Sequence, residues 1–396
     1  MGGSPAFSHP IHVGSPNVGD RRRFLARIED MLDRRWLTND GPFVRELEER
    51  IARFAGVKHC VAMCNGTVAL EIAIRALNLS GEVICPAFTF IATAHALRWQ
   101  EIKPVFCDIN PDTHNLDPEE VEKCITKRTT GIVGVHLWGR PCEIEALESL
   151  AERKKLILMF DAAHAFGCSR RGRMIGGFGQ AEVFSFHATK IFNTLEGGAV
   201  LTNNDEVAGK MKLMRNFGFA GYDCVTYLGM NGKMNEASAA MGLTLLESFG
   251  ELVDTNKRNY AAYRDGLKDV PGIRLVEYDQ SEKCNYQYVV AQVDGVHCPI
   301  SRDILLDALH RENVVARRYF YPGCHNMEPY KSSAEYAGLS LPATDRVASE
   351  VLILPTGTAI TAADIAEVCG IIRTVVHHAS EVVARFVGRG NKGREA

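Results

Sequence analysis

A lysine stands between two apolar runs. Residues 183–186 read Val-Phe-Ser-Phe and residues 199–202 read Ala-Val-Leu-Thr; between them lie Lys190 and the pair Gly197 and Gly198. Short apolar runs bounded by turn residues read as buried strands. An amine held in such a turn is badly placed as a solvated charge. It is well placed as a buried nucleophile, because desolvation disfavours the ammonium form and leaves an amine able to condense with a carbonyl. This reads as a Schiff base between Lys190 and pyridoxal phosphate.

A buried lysine alone is more often the partner of a core carboxylate, but the other requirements of this chemistry also have candidates. The pyridine nitrogen needs a carboxylate to stay protonated. Asp161 closes the apolar run 156–160 and can supply it. The ring needs a flat face, which Phe88 or Phe90 in the run PAFTF can give. The phosphate needs N–H donors and a hydroxyl. Gly66 and Thr67 follow the apolar run 60–63 and open a helical pattern, and Ser185 precedes Lys190 by one turn. Strand, small-residue turn and helix N-terminus together form an anion-binding design, since the first N–H groups of a helix are unpaired and its dipole is positive there. The alternative at that point is an ordinary helix cap by Asn65 or Thr67. Each feature has a structural reading too: a capping Asp, a core Phe, a turn Ser. Their joint placement after apolar runs favours a site.

The elements that must position these residues alternate. Strands are expected at 83–85, 104–107, 131–137 and 156–160, with helices at 90–99, 118–125 and 144–154. Continuous apolar strands alternating with helices mean an α/β fold whose parallel sheet is covered on both faces. Ligands in such sheets sit outside the carboxyl ends of the strands, so Asp161 and Lys190 face one crevice. Pro42 opens an amphipathic helix carrying Phe43, Val44, Leu47, Ile51 and Phe54 on one face. A helix at 206–216 and Gly/Asn-rich loops at 218–221 and 229–236 follow. A long helix then runs from about 235 to beyond 264, broken near Gly250. Strands at 273–276, 286–293, 314–320 and 352–354, with helices at 302–312 and 362–378, read as a smaller α+β domain. The expected organisation is an N-terminal arm at 1–20, a large domain at 21–265, a small domain at 266–388 and a disordered tail at 389–396.

Bulk properties agree. The chain has 396 residues, 46% hydrophobic and 23% charged, with a formal net charge of −3. At roughly 100–200 residues per domain, two domains are the prior. There is no basic bias for a nucleic-acid or anionic membrane partner, and no apolar run long enough for a membrane span. The short cluster Arg21, Arg22 and Arg23 reads as a solvated face. Twelve cysteines are scattered without ligand spacing, as expected of buried thiols in a reducing cytoplasm and not of a metal site. Residues 1–20 lack the apolar core of a signal peptide.

The chain resembles the DegT/DnrJ/EryC1/StrS family of sugar aminotransferases over nearly its whole length. The segments that carry the likeness are 37–42 (LTNDGP), 65–70 (NGTVAL), 86–93 (PAFTFIAT), 104–110 (PVFCDIN), 135–139 (VHLWG), 161–164 (DAAH), 184–190 (FSFHATK), 196–198 (EGG) and 231–234 (NGKM). The resemblance implies an aspartate-aminotransferase-like fold (PLP fold type I), with a mostly parallel sheet in the large domain and a smaller C-terminal α+β domain. It implies Lys190 as the Schiff-base lysine, Asp161 at the pyridine nitrogen, Phe90 on the ring, and Gly66, Thr67 and Ser185 at the phosphate. Asn231 would reach that phosphate from the other subunit of an obligate homodimer. His164 stands where many members carry Gln near the ring hydroxyl; an imidazole can donate the same hydrogen bond, and the alternative is a packed core histidine. Some relatives have His in place of the lysine and dehydrate instead; Lys190 argues against that here.

The activity implied is transfer of an amino group from L-glutamate, through pyridoxamine phosphate, to C4 of a dTDP-linked 4-keto-6-deoxy-hexose. The product would be a 4-amino-4,6-dideoxy sugar of an antibiotic pathway. Lys233, Arg318, Tyr321 and His325 are candidates for binding the sugar nucleotide. A 3-keto sugar or cyclitol-ketone aminotransferase is the enzymatic alternative. A non-catalytic regulatory protein of the same fold is the other; loss of Lys190 or Asp161 would mark it, and both are kept.

Overall fold

Seven strands make up the central sheet of the computed structural model, which describes residues 3–390. In chain order they are β1 (His59–Met63), β2 (Glu82–Pro86), β3 (Lys103–Cys107), β4 (Thr129–Val135), β5 (Ile157–Asp161), β6 (Glu182–Ser185) and β7 (Gly198–Thr202). Their order across the sheet is β1-β7-β6-β5-β4-β2-β3. The sheet is parallel except for β7, which runs antiparallel to both neighbours.

The strands read as unbroken apolar runs because both faces are covered. Side chains alternate between two cores. Cys60, Ala62, Ile84, Leu158, Phe160 and Phe184 pack with the helices Pro42–Ala55, Ile144–Lys154 and Glu236–Glu247. Val61, Met63, Val83, Cys85, Met159 and Val183 pack with the helices Gly66–Ala76, Ile91–Arg98 and Asp205–Met214. Asp161 and Ser185 are the last residues of β5 and β6. Because β7 runs the other way, its first residue, Gly198, pairs with Ser185 on one side and Met63 on the other, so three segments meet at one edge.

A second, antiparallel sheet holds β8 (Ile273–Leu275), β9 (Val289–Val293) and β10 (Val351–Leu354), with β9 in the middle. It packs with the helices Phe249–Leu267, Arg302–Arg311 and Ala362–His377. A separate cluster joins the two sheets: Phe88, Val135 and Trp138 from one side meet Tyr288, Val290, Phe320 and Ile353 from the other.

The cluster Arg21, Arg22 and Arg23 is exposed, as expected of a solvated face; it forms the first turn of a helix, Arg21–Arg34, capped by Asp20 and held to the large core through Phe24, Ile28 and Met31. The long helix is broken near Gly250, as expected, into Glu236–Glu247 and Phe249–Leu267; the break falls at Ser248, whose φ of −106° and ψ of 5° are non-helical. Other expectations are corrected. The loop at 218–225 contains a small exposed hairpin, Phe219–Gly221 with Cys224–Val225. The strand expected at 314–320 is only Val314–Val315, paired in parallel with Ile11–His12 of the arm. Beyond it Phe320 leaves the sheet direction to pack in the aromatic cluster. A further helix, Ala379–Gly390, includes residues 389 and 390 of the expected tail; residues 391–396 lie outside the described residues. No helix among the described residues is long and apolar enough to cross a membrane, and no group of His, Cys, Asp and Glu among them could hold a metal ion.

Candidate active site

A cavity of about 320 Å³ opens at the carboxyl edge of the sheet, and Gly66, Thr67, Phe90, Asp161, His164, Ser185 and Lys190 all line it. Burial of the Lys190 amine lowers its pKa to about 8, against the pull of Asp161 and Tyr319 in the other direction. An amine near that value is neutral in a large fraction at mildly alkaline pH, which a nucleophile and proton carrier needs. Its Nζ lies 3.3 Å from the Tyr288 phenol oxygen.

Asp161 is 6% exposed and has no ion-pair partner among the described residues. One carboxylate oxygen accepts from the Thr93 hydroxyl at 2.8 Å and the other from the Ala163 N–H at 3.1 Å. Burial nevertheless raises its pKa, outweighing these hydrogen bonds and the Lys190 charge. A buried carboxylate held by two donors but matched to no cation fits the protonated ring nitrogen of pyridoxal phosphate.

Burial and the nearby lysine push the His164 pKa well down, so its ring is neutral. Nδ1 accepts the Trp138 backbone N–H at 3.3 Å, which assigns the proton to Nε2 and makes that atom a donor. His164 is therefore equipped to donate to an oxygen in the cavity. Phe90 caps the helix Ile91–Arg98 and keeps 58% of its surface exposed at the cavity wall, whereas Phe88 is 1% exposed in the aromatic cluster. Of the two stacking candidates, only Phe90 offers a face.

The N-terminus of the helix Gly66–Ala76 meets the cavity beside Ser185. Asn65 accepts the Val68 N–H at 2.8 Å through its side chain and the Ala69 N–H at 3.1 Å through its carbonyl. The N–H groups of Gly66 and Thr67 are left without partners among the described residues. Ser185 stands beside them: a Cβ on Gly66 would come within 3.0 Å of the Ser185 Cβ. The capping reading of Asn65 is observed, and it is compatible with an anion at the two neighbouring N–H groups. Replacing Asn65 with Ala is expected to destabilise the protein by about 1 kcal/mol, read from the urea midpoint.

The structure does not bring the remaining candidates into this cavity. Asn231 is exposed and bridges the backbone of Asn216. Lys233 donates to the Asn216 side chain at 2.9 Å and lies over the Phe217 ring. Arg318 pairs with Asp303 at 3.0 Å, Tyr321 lies between Arg302 and Arg318, and His325 pairs with Asp345 at 3.1 Å. The aromatic residues that do line the cavity from this part of the chain are Tyr319 and Phe320, joined by Tyr288. Tyr319 and Phe320 lie in the segment 317–322 (RRYFYP), a candidate stretch from which sequence reasoning singled out Arg318 and Tyr321 instead; Tyr288 and Thr93 it missed. Tyr288 carried no signal, being 98 positions from the lysine it touches.

A mostly parallel seven-stranded sheet, with a lysine, an unmatched aspartate and an anion cup at its carboxyl edge, defines an aminotransferase of PLP fold type I. The chain belongs to the DegT/DnrJ/EryC1/StrS aminotransferase family, whose model matches residues 19–373. It is 36% identical to a dTDP-4-amino-4,6-dideoxy-D-glucose transaminase of Shigella dysenteriae over 346 residues, 87% of this chain and 94% of that one. The crystal structure of DesI in the presence of its TDP-sugar product matches 97% of each chain with a TM-score of 0.93 and 48% identity. DesV of S. venezuelae, in complex with a ketimine intermediate, matches 90% of this chain and 95% of that one with a TM-score of 0.84 and 30% identity.

Proposed function

We propose that this protein transfers an amino group from L-glutamate to C4 of a dTDP-linked 4-keto-6-deoxy-hexose, with pyridoxal 5′-phosphate held by Lys190. The observation that carries the reading is Asp161, a buried carboxylate without a cation, in one cavity with a lysine of lowered pKa. The named relatives support the substrate class. When bound, the cofactor supplies an electron sink and carries the amino group between donor and acceptor.

The chain's own groups do the rest. Asp161 would hold the ring nitrogen protonated. His164 Nε2–H would donate to the ring oxygen and Phe90 would cover the ring. Gly66, Thr67 and Ser185 would hold the phosphate. Lys190 would take the proton from the donor Cα and, in the second half-reaction, deliver a proton to C4 of the keto sugar. The homodimer belongs to the same proposal. Asn231 would complete the phosphate cup of a second copy, and exposed Phe217, Phe219, Tyr222, Leu228 and Met230 beside it are apolar surface suited to a subunit contact. Lys233, close in sequence, and Arg318, Tyr321 and His325 stay as sugar-nucleotide candidates within that assembly. So do the arm at 1–20, the domains at 21–265 and 266–388, a cytoplasmic location and a role in antibiotic sugar synthesis.

The test uses the protein loaded with pyridoxal phosphate. Added L-glutamate is expected to bleach its visible absorbance, and a dTDP-4-keto-6-deoxy-hexose to restore it. Restoration only by a 3-keto isomer or a cyclitol ketone would move the assignment to the enzymatic alternative. No bleaching with any amino acid would favour the regulatory one, against which the intact Lys190 and Asp161 stand.

A further inference from the structure

Tyr288 and Gln287 approach the lysine segment from the element that leads into β9. Gln287 accepts the Ile191 backbone N–H at 2.9 Å, next to the lysine, and its own N–H is held by Asn285 at 2.9 Å. The Gln287 side-chain nitrogen is buried without a partner among the described residues. Tyr288 is 7% exposed. Its ring is fixed against His164 (centroids 4.6 Å apart) and the edge of Trp138 (5.4 Å). Its hydroxyl lies 3.3 Å from Lys190 Nζ, and the phenol proton has no acceptor among the described residues other than that amine.

We propose that Tyr288 is a positioning residue for the proton transfers of Lys190, holding Nζ in one place in both of its protonation states. The inference rests on the function proposed above. A phenol is both donor and acceptor. The ammonium donates an N–H to the phenol oxygen, and the neutral amine accepts the phenol O–H. The contact therefore reverses direction when the amine gains or loses a proton, and the nitrogen does not have to move. Burial raises the Tyr288 pKa, so the phenol keeps its proton throughout. A carboxylate in its place would favour the ammonium and could not donate to the neutral amine, whereas the phenol binds both forms. The other groups facing the amine are Asp161 and His164 from the end of β5 and Tyr319 from the turn after Val314–Val315; His187 and Glu196 stand at the cavity wall.

The variant is Tyr288→Phe, which keeps the ring packing and removes only the hydroxyl. Two readouts are needed. In the cofactor-free protein, labelling of Lys190 by acetic anhydride is followed against pH by peptide mass spectrometry. Both forms of the amine lose a partner, but the hydrogen bond donated by the charged ammonium is the stronger of the two, so the labelling midpoint is expected to move to lower pH. In the loaded enzyme, kcat is expected to fall by about tenfold or more, as for a weakened proton transfer, with KM for both substrates within about twofold and the alkaline-shifting limb of kcat displaced the same way. An unchanged labelling midpoint overturns the proposal, and so does a shifted midpoint with unchanged kcat. Failure of the wild-type enzyme to react with glutamate would sink the aminotransferase reading instead, and the labelling arm does not depend on it.

Discussion

Replacing Lys190 with Ala is expected to lower transamination by about 10⁴-fold, the upper range for loss of a positioned acid–base group, with the cavity and the sheet intact. Among the described residues no other amine lines the cavity, so no second lysine can take over the proton transfer. The measurement is single-turnover bleaching by glutamate at saturating pyridoxal phosphate; a rate within tenfold of wild type would remove Lys190 from its assigned role. A stability effect of the opposite sense accompanies the loss. The folded-state pKa of about 8 lies below the ordinary 10.5, so the fold disfavours the charged amine. That cost is full below pH 8 and fades as pH rises from about 8 towards 10.5. Lys190→Met, which keeps the aliphatic volume, is therefore expected to raise the thermal midpoint of the cofactor-free protein at pH 7. The margin should close as the pH approaches 10.5.

Asp161→Asn is the second large effect. An amide keeps the shape but cannot counter a protonated ring nitrogen. Breaking a buried charge pair costs about 3–5 kcal/mol, and a loss of that size felt in the transition state is about 10³-fold in rate. The cofactor-free protein should respond oppositely. Burial raises the Asp161 pKa, so the ionised form is disfavoured in the fold. The cost is absent below the unfolded-state pKa, grows as pH rises through the raised folded value, and is full above it. The Asn variant is then expected to melt higher than wild type at neutral pH without cofactor and lower than wild type with it. The same order in both conditions would mean that Asp161 does not face a cation.

How far the site could be read from the chain depended on what kind of signal each residue leaves. Asp161, Ser185 and Gly66 are legible because each sits where an apolar run stops, and a sheet with both faces covered puts every such stop at one edge. Lys190 is legible for the same reason. The three leading arginines of the helix Arg21–Arg34 are surface, as they look, and hide the helix start that Asp20 caps. Gly250 announces the break in the long helical pattern to within two residues, at Ser248. Tyr288 and Thr93 act through contacts between segments far apart in the chain, and no local period records such contacts. Arg318, Tyr321 and His325 were chosen for charge and hydrogen-bonding capacity, yet the folding of their segment turns Tyr319 and Phe320 inward and pairs Arg318 and His325 with the neighbouring carboxylates Asp303 and Asp345.

The reversed strand β7 has a bearing on how the molecule is made. It slots between β1 and β6, and its first residue abuts Asn65: a Cβ on Gly198 would lie 2.7 Å from the Asn65 carbonyl carbon. A chain still emerging from the ribosome and ending before Gly198 has β1, the Gly66 helix and Ser185, but nothing to clamp them side by side. Insertion of β7 is a long-range closure, the slow kind of folding event. Phosphate-ester binding would then be a property of the finished sheet alone, and the vitamin-derived ligand, by mass action on that finished form, would protect newly made chains from reopening.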